Sequence, residues 1–218
     1  MILTSTQLLP YILSGVLLTI ELTLLGNLLS VIVSFIVGFA RLSDSRWARG
    51  VARTFTEFFR GSSGYVQLYW AYFVLPLAGL RFSPFIVAVL VLGLNSGAYA
   101  SEIVRGAMLA LPREQFEGCV ALNLSRWQRL RYVLLPQALP LMIPPFSNSF
   151  IELLKGTSVV SLISLAELTF RAQTVRGQTN ETFVPFITIL IVYLVLAIAI
   201  SALMRRFERI FKVPLKGV

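Results

Sequence analysis

Five long apolar segments run along the chain, separated by shorter polar or basic stretches. A helix needs about 20 mostly apolar residues to cross the hydrocarbon core of a bilayer. Segments of that kind cover residues 22–40, 61–80, 82–101, 132–151 and 182–204. The pattern therefore predicts an all-α, polytopic membrane protein with about five transmembrane helices, in a single transmembrane domain over residues 1–218. The first 22 residues have no basic region and no small-residue cleavage site, so we expect them to lead into a retained first span.

The fourth segment contains prolines and a glycine, which mark helix ends, and two charged residues. Pro136 and Pro140 lie near its beginning, and Glu152, Lys155 and Gly156 separate it from a further apolar piece, TSVVSLISLAEL. Proline is tolerated at a helix start and glycine ends helices, so we expect the helix to start at the proline break. The span should then be followed by a short second helix or a re-entrant element. Broken elements at membrane depth occur where they line cavities.

Basic residues cluster in three of the segments that flank the spans. Cytoplasmic segments near span ends accumulate Lys and Arg, which sets the orientation of a membrane protein. Only Arg81, Lys155, Arg171 and Arg176 lie outside the three clusters. The clusters are Arg41, Arg46, Arg49, Arg53 and Arg60; Arg105, Arg113, Arg126, Arg129 and Arg131; and Arg205, Arg206, Arg209, Lys212 and Lys216. Because these clusters follow the first, third and fifth spans, we expect the N-terminus outside and the C-terminus in the cytoplasm.

Composition agrees with a bilayer-embedded chain and excludes several classes of function. Hydrophobic residues make up 56% of the sequence and charged residues only 13%, whereas about a quarter of a soluble domain is charged. The net charge of +9 follows from the loop arginines, which flank apolar runs and do not alternate with aromatic residues, so no nucleic-acid partner is expected. With one cysteine and no histidine, the chain can form neither an internal disulfide, nor a Cys/His metal site, nor His-based acid–base chemistry.

Polar residues inside the apolar segments are candidates for a transport path. Glu152 and Lys155 are three residues apart and share a helix face, and charges at that depth are costly unless they face the protein interior or a wet cavity. A structural pair, a path lining and exposure at the outer interface all remain open for them. The candidate substrate path comprises Asn95, Tyr99, Asn148, Glu152, Lys155, Thr157 and Ser158. Glu102 and Arg105 are again three apart and form a candidate inner gate at the inner end of the third span.

Small residues indicate close packing more readily than chemistry. Gly93, Gly97 and Gly106 lie in or just after the third apolar segment, where glycine lets helices approach each other. Cys119 lies near Glu117, whose negative charge would not favour a thiolate. We therefore interpret Cys119 as a small packing residue.

The connection between the third and fourth spans, about residues 105–135, is long and polar. Long connections in compact proteins usually carry function. This one reads Glu117-Gly118-Cys119, then Asn123, then a basic amphipathic stretch, then LLP ending at Pro136. It resembles the EAA…G…LP loop of the permease subunits of bacterial ABC importers, a short helix-turn-helix that docks into a groove on the cytoplasmic ATPase.

Three other stretches resemble the polar-amino-acid branch of the same family, which includes the histidine, glutamine and glutamate permeases. They are EFFRGSSGYVQLYWAYFVLP (57–76), LNSGAYASEIVRGAMLALP (94–112) and LLKGTSVVSLISLAEL (153–168). The four motifs follow one another in the family's order and spacing, and with the five spans they cover nearly the whole chain. Two departures are visible: Asn123 replaces the usual glycine of the loop turn, and RGSSG lacks the proline that commonly follows its first glycine.

The resemblance implies a non-catalytic permease subunit with the type I ABC importer fold, in the bacterial inner membrane. Its partners would be a cytoplasmic ABC ATPase homodimer, a second permease subunit that is identical or paralogous, an extracytoplasmic solute-binding protein and the lipid bilayer. ATP and Mg²⁺ would be bound by the ATPase, since the chain has no GxxxxGK[ST] pattern. The solute would be a polar amino acid or a related small zwitterion. The implied ATPase-coupling residues are Phe116, Glu117, Gly118, Cys119, Ala121, Asn123 and Leu124.

Physical chemistry adds three expectations for this loop. A carboxylate at Glu117 would gain from the dipole if it lay near a helix N-terminus. Asn123 can take the turn position because asparagine, after glycine, most readily adopts a left-handed backbone conformation. Phe116, Val120, Leu122 and Leu124 could supply the apolar face of a helix in a groove.

The alternative function is an ion-coupled secondary transporter or a channel component. Its coupling groups would be Glu21, Glu152 and Lys155. Such transporters are typically built from internal repeats, and the sequence shows no inverted repeat. An intramembrane enzyme is disfavoured because the spans contain no paired aspartates and no His-based metal set.

Overall fold

The computed structural model describes residues 5–211, and every regular element in that range is helical. The α-helices are α1 (Ser5–Leu13), α2 (Val16–Leu42), α3 (Arg46–Gly61), α4 (Gly64–Tyr69), α5 (Pro84–Leu109), α6 (Arg113–Ala121), α7 (Arg126–Gln128), α8 (Leu135–Gly156), α9 (Leu168–Thr179) and α10 (Phe183–Phe211). A π turn (Trp70–Val74) and a 3-10 turn (Leu75–Ala78) extend α4. A second π turn (Arg129–Leu134) precedes α8, and a 3-10 turn (Thr157–Ile163) follows it. The predicted all-α class is confirmed.

Three helical stretches in the described range are long and apolar enough to cross a membrane. They are Leu8–Leu42, Pro84–Leu109 and Phe183–Phe211, and they extend the predicted first, third and fifth spans. A fourth is counted if the pair Arg126–Ile163 and Leu168–Thr179, bent by 50°, forms one span. The structure therefore supports three or four spans by length, one or two fewer than the five predicted.

The second predicted span, residues 61–80, is longer than the helical path that the structure shows there. Ser62 and Ser63 separate α3 from α4, and the helical path that follows runs only from residue 64 to residue 78. It narrows into a 3-10 turn at Pro76 and ends at Gly79, whose φ of 86° lies in the left-handed region. Proline and a left-handed glycine both stop a helix, so the apolar run is longer than the helix it forms.

α8 runs in the opposite direction to the other long helices. α2 and α5 run parallel and form the most extensive helix pair, and α8 packs against both of them in the opposite sense. α10 returns beside α8, since Tyr193 approaches Thr157 beyond the end of α8 and Met204 packs near its beginning. The C-terminal ends of α2 and α5 consequently meet the start of α8 at one end of the molecule. We call this the arginine-rich end, because Arg41, Arg60, Arg105 and Arg126 lie there.

The broken element expected after the fourth span is confirmed. α8 begins at Leu135 with Pro136 in its first turn, although α7 and the π turn carry the helical path back to Arg126. The helix passes into a 3-10 turn at Thr157 and stops at Ser164, whose φ is 60°. The chain then turns into α9.

Two glycines bring α2 and α5 into contact. A Cβ placed on Gly93 would lie 2.9 Å from Leu29 Cβ, and one on Gly97 would lie 2.8 Å from Val33 Cβ. Close packing was predicted for both, and it is confirmed. It was also predicted for Gly106, where it is wrong: no atom lies within 4 Å of a Cβ added there. Beside these glycines, Ser96 is within hydrogen-bonding distance of Ser30 on α2 (3.1 Å) and Ser149 on α8 (3.3 Å), which joins the three helices.

This difference between two glycines of one helix is testable. Gly97→Ala should lower the free energy of unfolding by about 2 kcal/mol, because the added methyl group overpacks the contact with Val33. Gly106→Ala should leave it unchanged or raise it by up to about 1 kcal/mol, because alanine favours the helix and meets open space. Unfolding of the detergent-solubilised variants would measure both values, and equal effects would contradict the packing described here.

Candidate functional site

A carboxylate surrounded by three guanidinium groups lies at the arginine-rich end. Glu102 is on α5, one turn before Arg105, and Arg105 Nε donates to its Oε2 at 2.8 Å. Arg60 Nη1 donates to Oε1 at 3.2 Å, and Arg41 Nη1 donates to the same oxygen. The Glu102–Arg105 pair expected from the sequence is confirmed. The arginines from α2 and α3 were missed, because nothing in the spacing of residues on separate helices shows that they converge.

The Glu102 cluster borders an open cleft of about 370 Å³. Arg60 closes one side of this cleft by lying over the ring of Tyr99, 5.3 Å from its centroid, and Tyr99 Oη donates to Arg60 O at 3.3 Å. Thr56, Glu57 and Gly61 also line it. The arrangement ties α2, α3 and α5 together around one carboxylate. The role of Glu102 and Arg105 as an inner gate stays a prediction.

The loop between α5 and α8 folds as a helix, a tight turn and a second helical start. Asn123 adopts a φ of 51°, the left-handed conformation expected from its identity. The turn is closed by Leu124 N donating to Cys119 O at 3.1 Å and by Asn123 N donating to Val120 O at 2.9 Å. Ser125 then caps α7, and its hydroxyl and the side chain of Gln128 form a capping box.

The first helix of this loop, α6, is largely uncovered. Cys119 is 3% exposed and is the buried residue of α6, as its interpretation as a packing residue requires. The apolar residues expected to form a docking face include Leu122, which is 75% exposed, and Phe116 and Val120, which are also exposed; Leu124 is half-buried. Among the other predicted coupling residues, Gly118 and Ala121 are exposed.

The expectation that Glu117 lies near a helix N-terminus is wrong. α6 begins at Arg113, so Glu117 is in the middle of the helix, and the acidic residue in the first turn is Glu114. Because the dipole acts within the first turn, Glu114 is the carboxylate that gains from it. Glu117 is exposed on the helix surface, where it is available to a basic partner.

Three polar residues of α8 face away from the chain. Asn148, Glu152 and Lys155 are exposed and recur at helical spacing, so they form one stripe. A structural Glu152–Lys155 pair was one of the three readings left open, and within residues 5–211 the two side chains form no ion pair. Lys155 lines a second cleft, of about 410 Å³, with Ser158, Thr169 and Tyr193. Of the three interpretations, this placement favours the one in which these side chains line a space outside this chain.

Other predicted path residues hold the fold together. Asn95 Nδ2 donates to Phe59 O at 3.0 Å and to Gln67 Oε1 at 3.1 Å, which fixes α5 against α3 and α4. Thr157 is buried, and its hydroxyl donates to Leu154 O at 2.7 Å. Ser158 Oγ donates to Lys155 O at 2.8 Å. Within this chain Tyr99 lies with Glu102, Lys155 of the α8 stripe borders the other cleft, and Asn95 and Thr157 donate hydrogen bonds to the fold. Their role in a substrate path stays a prediction.

A buried carboxylate was missed by the sequence analysis. Glu167 is 0% exposed and caps α9: its Oε2 accepts from Thr169 N and its Oε1 from Phe170 N, both at 2.7 Å. Tyr193 Oη donates to Oε2 at 3.2 Å from α10. Thr157 and Thr169 hydroxyls also approach Tyr193 Oη, at 3.4 Å and 3.3 Å. The sequence signal for this buried carboxylate was a single acidic residue directly before a new helix, in a connection that is otherwise apolar.

Sequence and fold are both similar to those of known transport proteins. The family model described as binding-protein-dependent transport system inner membrane component matches residues 26–213. A probable amino-acid ABC transporter permease protein of Sinorhizobium fredii is 42% identical over 200 residues, which are 89% of this chain and 84% of that protein. The glutamine transport system permease protein of Escherichia coli is 37% identical over 206 residues, 94% of either chain. The crystal structure of an amino acid ABC transporter with histidines superposes with a TM-score of 0.84 at 32% identity, over 92% of this chain and 94% of that one.

Proposed function

Because the chain belongs to the family of binding-protein-dependent transport system inner membrane components, we propose that it is an importer subunit for a polar amino acid and that α6 couples it to a cytoplasmic ATPase. The chain is a permease subunit of the ABC type and is not an enzyme. The solute class is proposed from the names of the relatives, which include amino-acid and glutamine permeases. The ion-coupled alternative has no counterpart among these relatives.

The observation that carries the coupling proposal is the uncovered apolar face of α6. Phe116 and Val120 lie one turn apart on α6, Leu122 directly follows its last residue, and all three are exposed at the arginine-rich end. α6 is held in place by its turn and by Gln137 Nε2 donating to Gln115 Oε1 at 3.1 Å. A fixed short helix with an apolar face fits a groove on another protein. The ATPase homodimer would bind ATP and Mg²⁺ and would bind this face differently in its two nucleotide states, and that difference would drive the conformational change.

The polar stripe of α8 supports a second permease subunit. Glu152 and Lys155 are exposed on a helix that crosses the apolar part of the molecule, where charges facing lipid are costly. A second copy, identical or paralogous, would enclose them in a shared aqueous path. A solute-binding protein would deliver the amino acid at the end opposite the arginines. With the arginines on the cytoplasmic side of a bacterial inner membrane, the N-terminus would lie outside and the C-terminus in the cytoplasm.

Cross-linking at α6 tests the coupling proposal. Cys119 is buried and makes a poor probe, so it is replaced first by Cys119→Ser, and Leu122→Cys then introduces an exposed thiol. We expect a disulfide or short maleimide cross-link to a co-expressed candidate ATPase bearing cysteines in its surface groove, with a yield that changes when ATP is added.

The matched control is Leu77→Cys in the same Cys119→Ser background. Leu77 is 86% exposed and lies near the end of the helical path that follows α4, far from α6 along the chain. It should give no cross-link to the ATPase. Equal cross-linking at both positions, or none at Leu122→Cys in an assembled and transport-competent complex, would contradict α6 as the coupling element.

A further inference from the structure

The exposed face of α8 is almost as long as a bilayer is thick. After Pro136, every exposed residue of this helix falls within one arc of about 100°, at 3.6 residues per turn. The face reaches from Gln137 to Lys155, which is about 27 Å along an α-helix, and the hydrocarbon core of a bilayer is about 30 Å thick. Its members are Gln137, Leu141, Pro144, Pro145, Asn148, Glu152 and Lys155. A face of this length can border a path from one side of the membrane to the other.

The middle of this face carries no polar side chain. Between Gln137 and Asn148 its exposed residues are Leu141, Pro144 and Pro145, and all three side chains are apolar. Amide or charged side chains border this part on both sides. Any polar group that the face offers in its middle therefore comes from the backbone.

Pro144 and Pro145 deprive two backbone carbonyl oxygens of their helical donors. In an α-helix the carbonyl oxygen of each residue accepts from the N–H four residues later, and proline has no N–H. The carbonyl oxygens of Pro140 and Leu141 therefore lose these donors. Within residues 5–211, no side chain and no backbone N–H from outside the helix donates to either oxygen. Two adjacent acceptors are thus left for a group that does not belong to this chain.

The carbonyl group of Leu141 lies on the exposed face. Leu141 is 49% exposed, and Pro145, one turn later, is exposed as well. The carbonyl oxygen of Leu141 points along the helix toward Pro145, so it lies between two uncovered residues. Freed backbone groups in a membrane helix are satisfied by neighbouring helices, hydroxyl side chains or water. On a face that also carries Glu152 and Lys155, where contact with lipid is costly, the group that reaches this oxygen is water or a solute.

We propose that the carbonyl oxygens of Pro140 and Leu141 form an acceptor site for the protonated amino group of the amino acid that passes along α8. This inference rests on the proposed function. Carbonyl oxygens only accept hydrogen bonds, so the site binds a cationic N–H donor and offers nothing to a carboxylate. It holds the solute by the ammonium group that free amino acids share, and it leaves the choice of side chain to other residues.

Restoring the missing N–H tests the site. Pro145→Ala supplies a donor to the carbonyl oxygen of Leu141, and alanine favours a helix, so the variant should fold. Uptake of radiolabelled polar amino acids is measured in cells that carry the chain together with its own transport partners. We expect the rate to fall about tenfold, which corresponds to the loss of one hydrogen bond to a charged group. An unchanged rate would overturn the carbonyl site.

The matched control replaces Pro145 with lactic acid, the α-hydroxy acid that has the side chain of alanine, by nonsense suppression. The resulting ester has no N–H, so the carbonyl oxygen of Leu141 stays free although the proline ring is lost. Uptake should then equal that of the unaltered chain. Equal losses in the alanine and lactic acid variants would show that Pro145 acts through the shape of the helix, and the carbonyl site would be overturned.

A second measurement does not depend on which amino acid is transported. Leucine labelled with ¹³C at the carbonyl and methionine labelled with ¹⁵N together mark two peptide bonds of the sequence, Leu141–Met142 and Leu203–Met204. Leu203 lies in α10, where Phe207 supplies the N–H four residues later, so its carbonyl is an internal reference. The probes are methylammonium and tetramethylammonium, a cation without N–H groups, added to the assembled importer in lipid.

Methylammonium should shift the Leu141 carbonyl resonance and leave the Leu203 resonance in place, and tetramethylammonium should shift neither. Equal responses of the two carbonyls would overturn the acceptor site. If methylammonium shifted the Leu141 resonance but the unaltered chain supported no uptake of polar amino acids, the acceptor site would stand and the proposed solute would be wrong.

Discussion

Glu102→Ala should destabilise the chain by about 2 kcal/mol, because it removes the shared partner of three guanidinium groups. Arg41, Arg60 and Arg105 come from three different helices and converge on this side chain, which is 29% exposed. Without it they would repel one another across α2, α3 and α5. Unfolding of the detergent-solubilised chain, monitored by circular dichroism against denaturant, would measure the loss. Added salt should recover part of it by screening the repulsion.

The matched control for this prediction is Glu57→Ala. Glu57 pairs with Arg53 within α3, and both side chains are exposed, so the pair contributes little to stability. Glu57→Ala should leave the unfolding midpoint nearly unchanged. Equal midpoints for Glu102→Ala and Glu57→Ala would show that the Glu102 cluster does not hold the three helices together.

Glu167→Ala should also cost about 3 kcal/mol, because a capping carboxylate and a buried hydrogen-bond acceptor are lost together. The backbone N–H groups of Thr169 and Phe170 and the hydroxyl of Tyr193 would lose their acceptor inside the protein. Glu167→Gln keeps one acceptor oxygen and should cost less than half as much. The same denaturant titration would measure both, and hydrogen exchange of the α9 amides should increase before the rest of the chain responds.

Glu181→Ala provides the control for Glu167. Glu181 lies in the exposed turn before α10, and its side chain forms no hydrogen bond or ion pair within residues 5–211. Its replacement should change neither stability nor exchange in α9. If Glu167→Ala behaved like Glu181→Ala, the buried cap would have no structural role.

Local signals were the ones that the sequence revealed. The order of the elements, the turn at Asn123, the break after α8 and the pair of Glu102 with Arg105 all depend on residues close in the chain, where helical spacing and backbone preferences act directly. The length of the second span was overestimated because the prediction followed only the apolar run. Its apolar run is continuous, but Pro76 and Gly79 end the helix within it.

Contacts between distant residues were the ones that the sequence did not reveal. Arg41 and Arg60 reach Glu102 across 61 and 42 residues. Tyr193 reaches Glu167 across 26. Gly97 and Gly106 are both glycines of α5, yet only the first meets another helix. Helix packing decides these cases, and a single sequence carries no direct record of it.

The close contact of α2 with α5 has a mechanical consequence. Glycine-to-side-chain contacts and the hydroxyls of Ser30, Ser96 and Ser149 leave little room for sliding along this pair, so it should behave as a stiff rod through the centre of the molecule. The helical path is interrupted elsewhere, at Ser62 and Ser63 between α3 and α4 and at Ser164, whose φ is left-handed, before α9. We expect bending to be concentrated at these two joints. A force applied at α6 would then be transmitted along the α2–α5 pair and would bend the chain at these two joints.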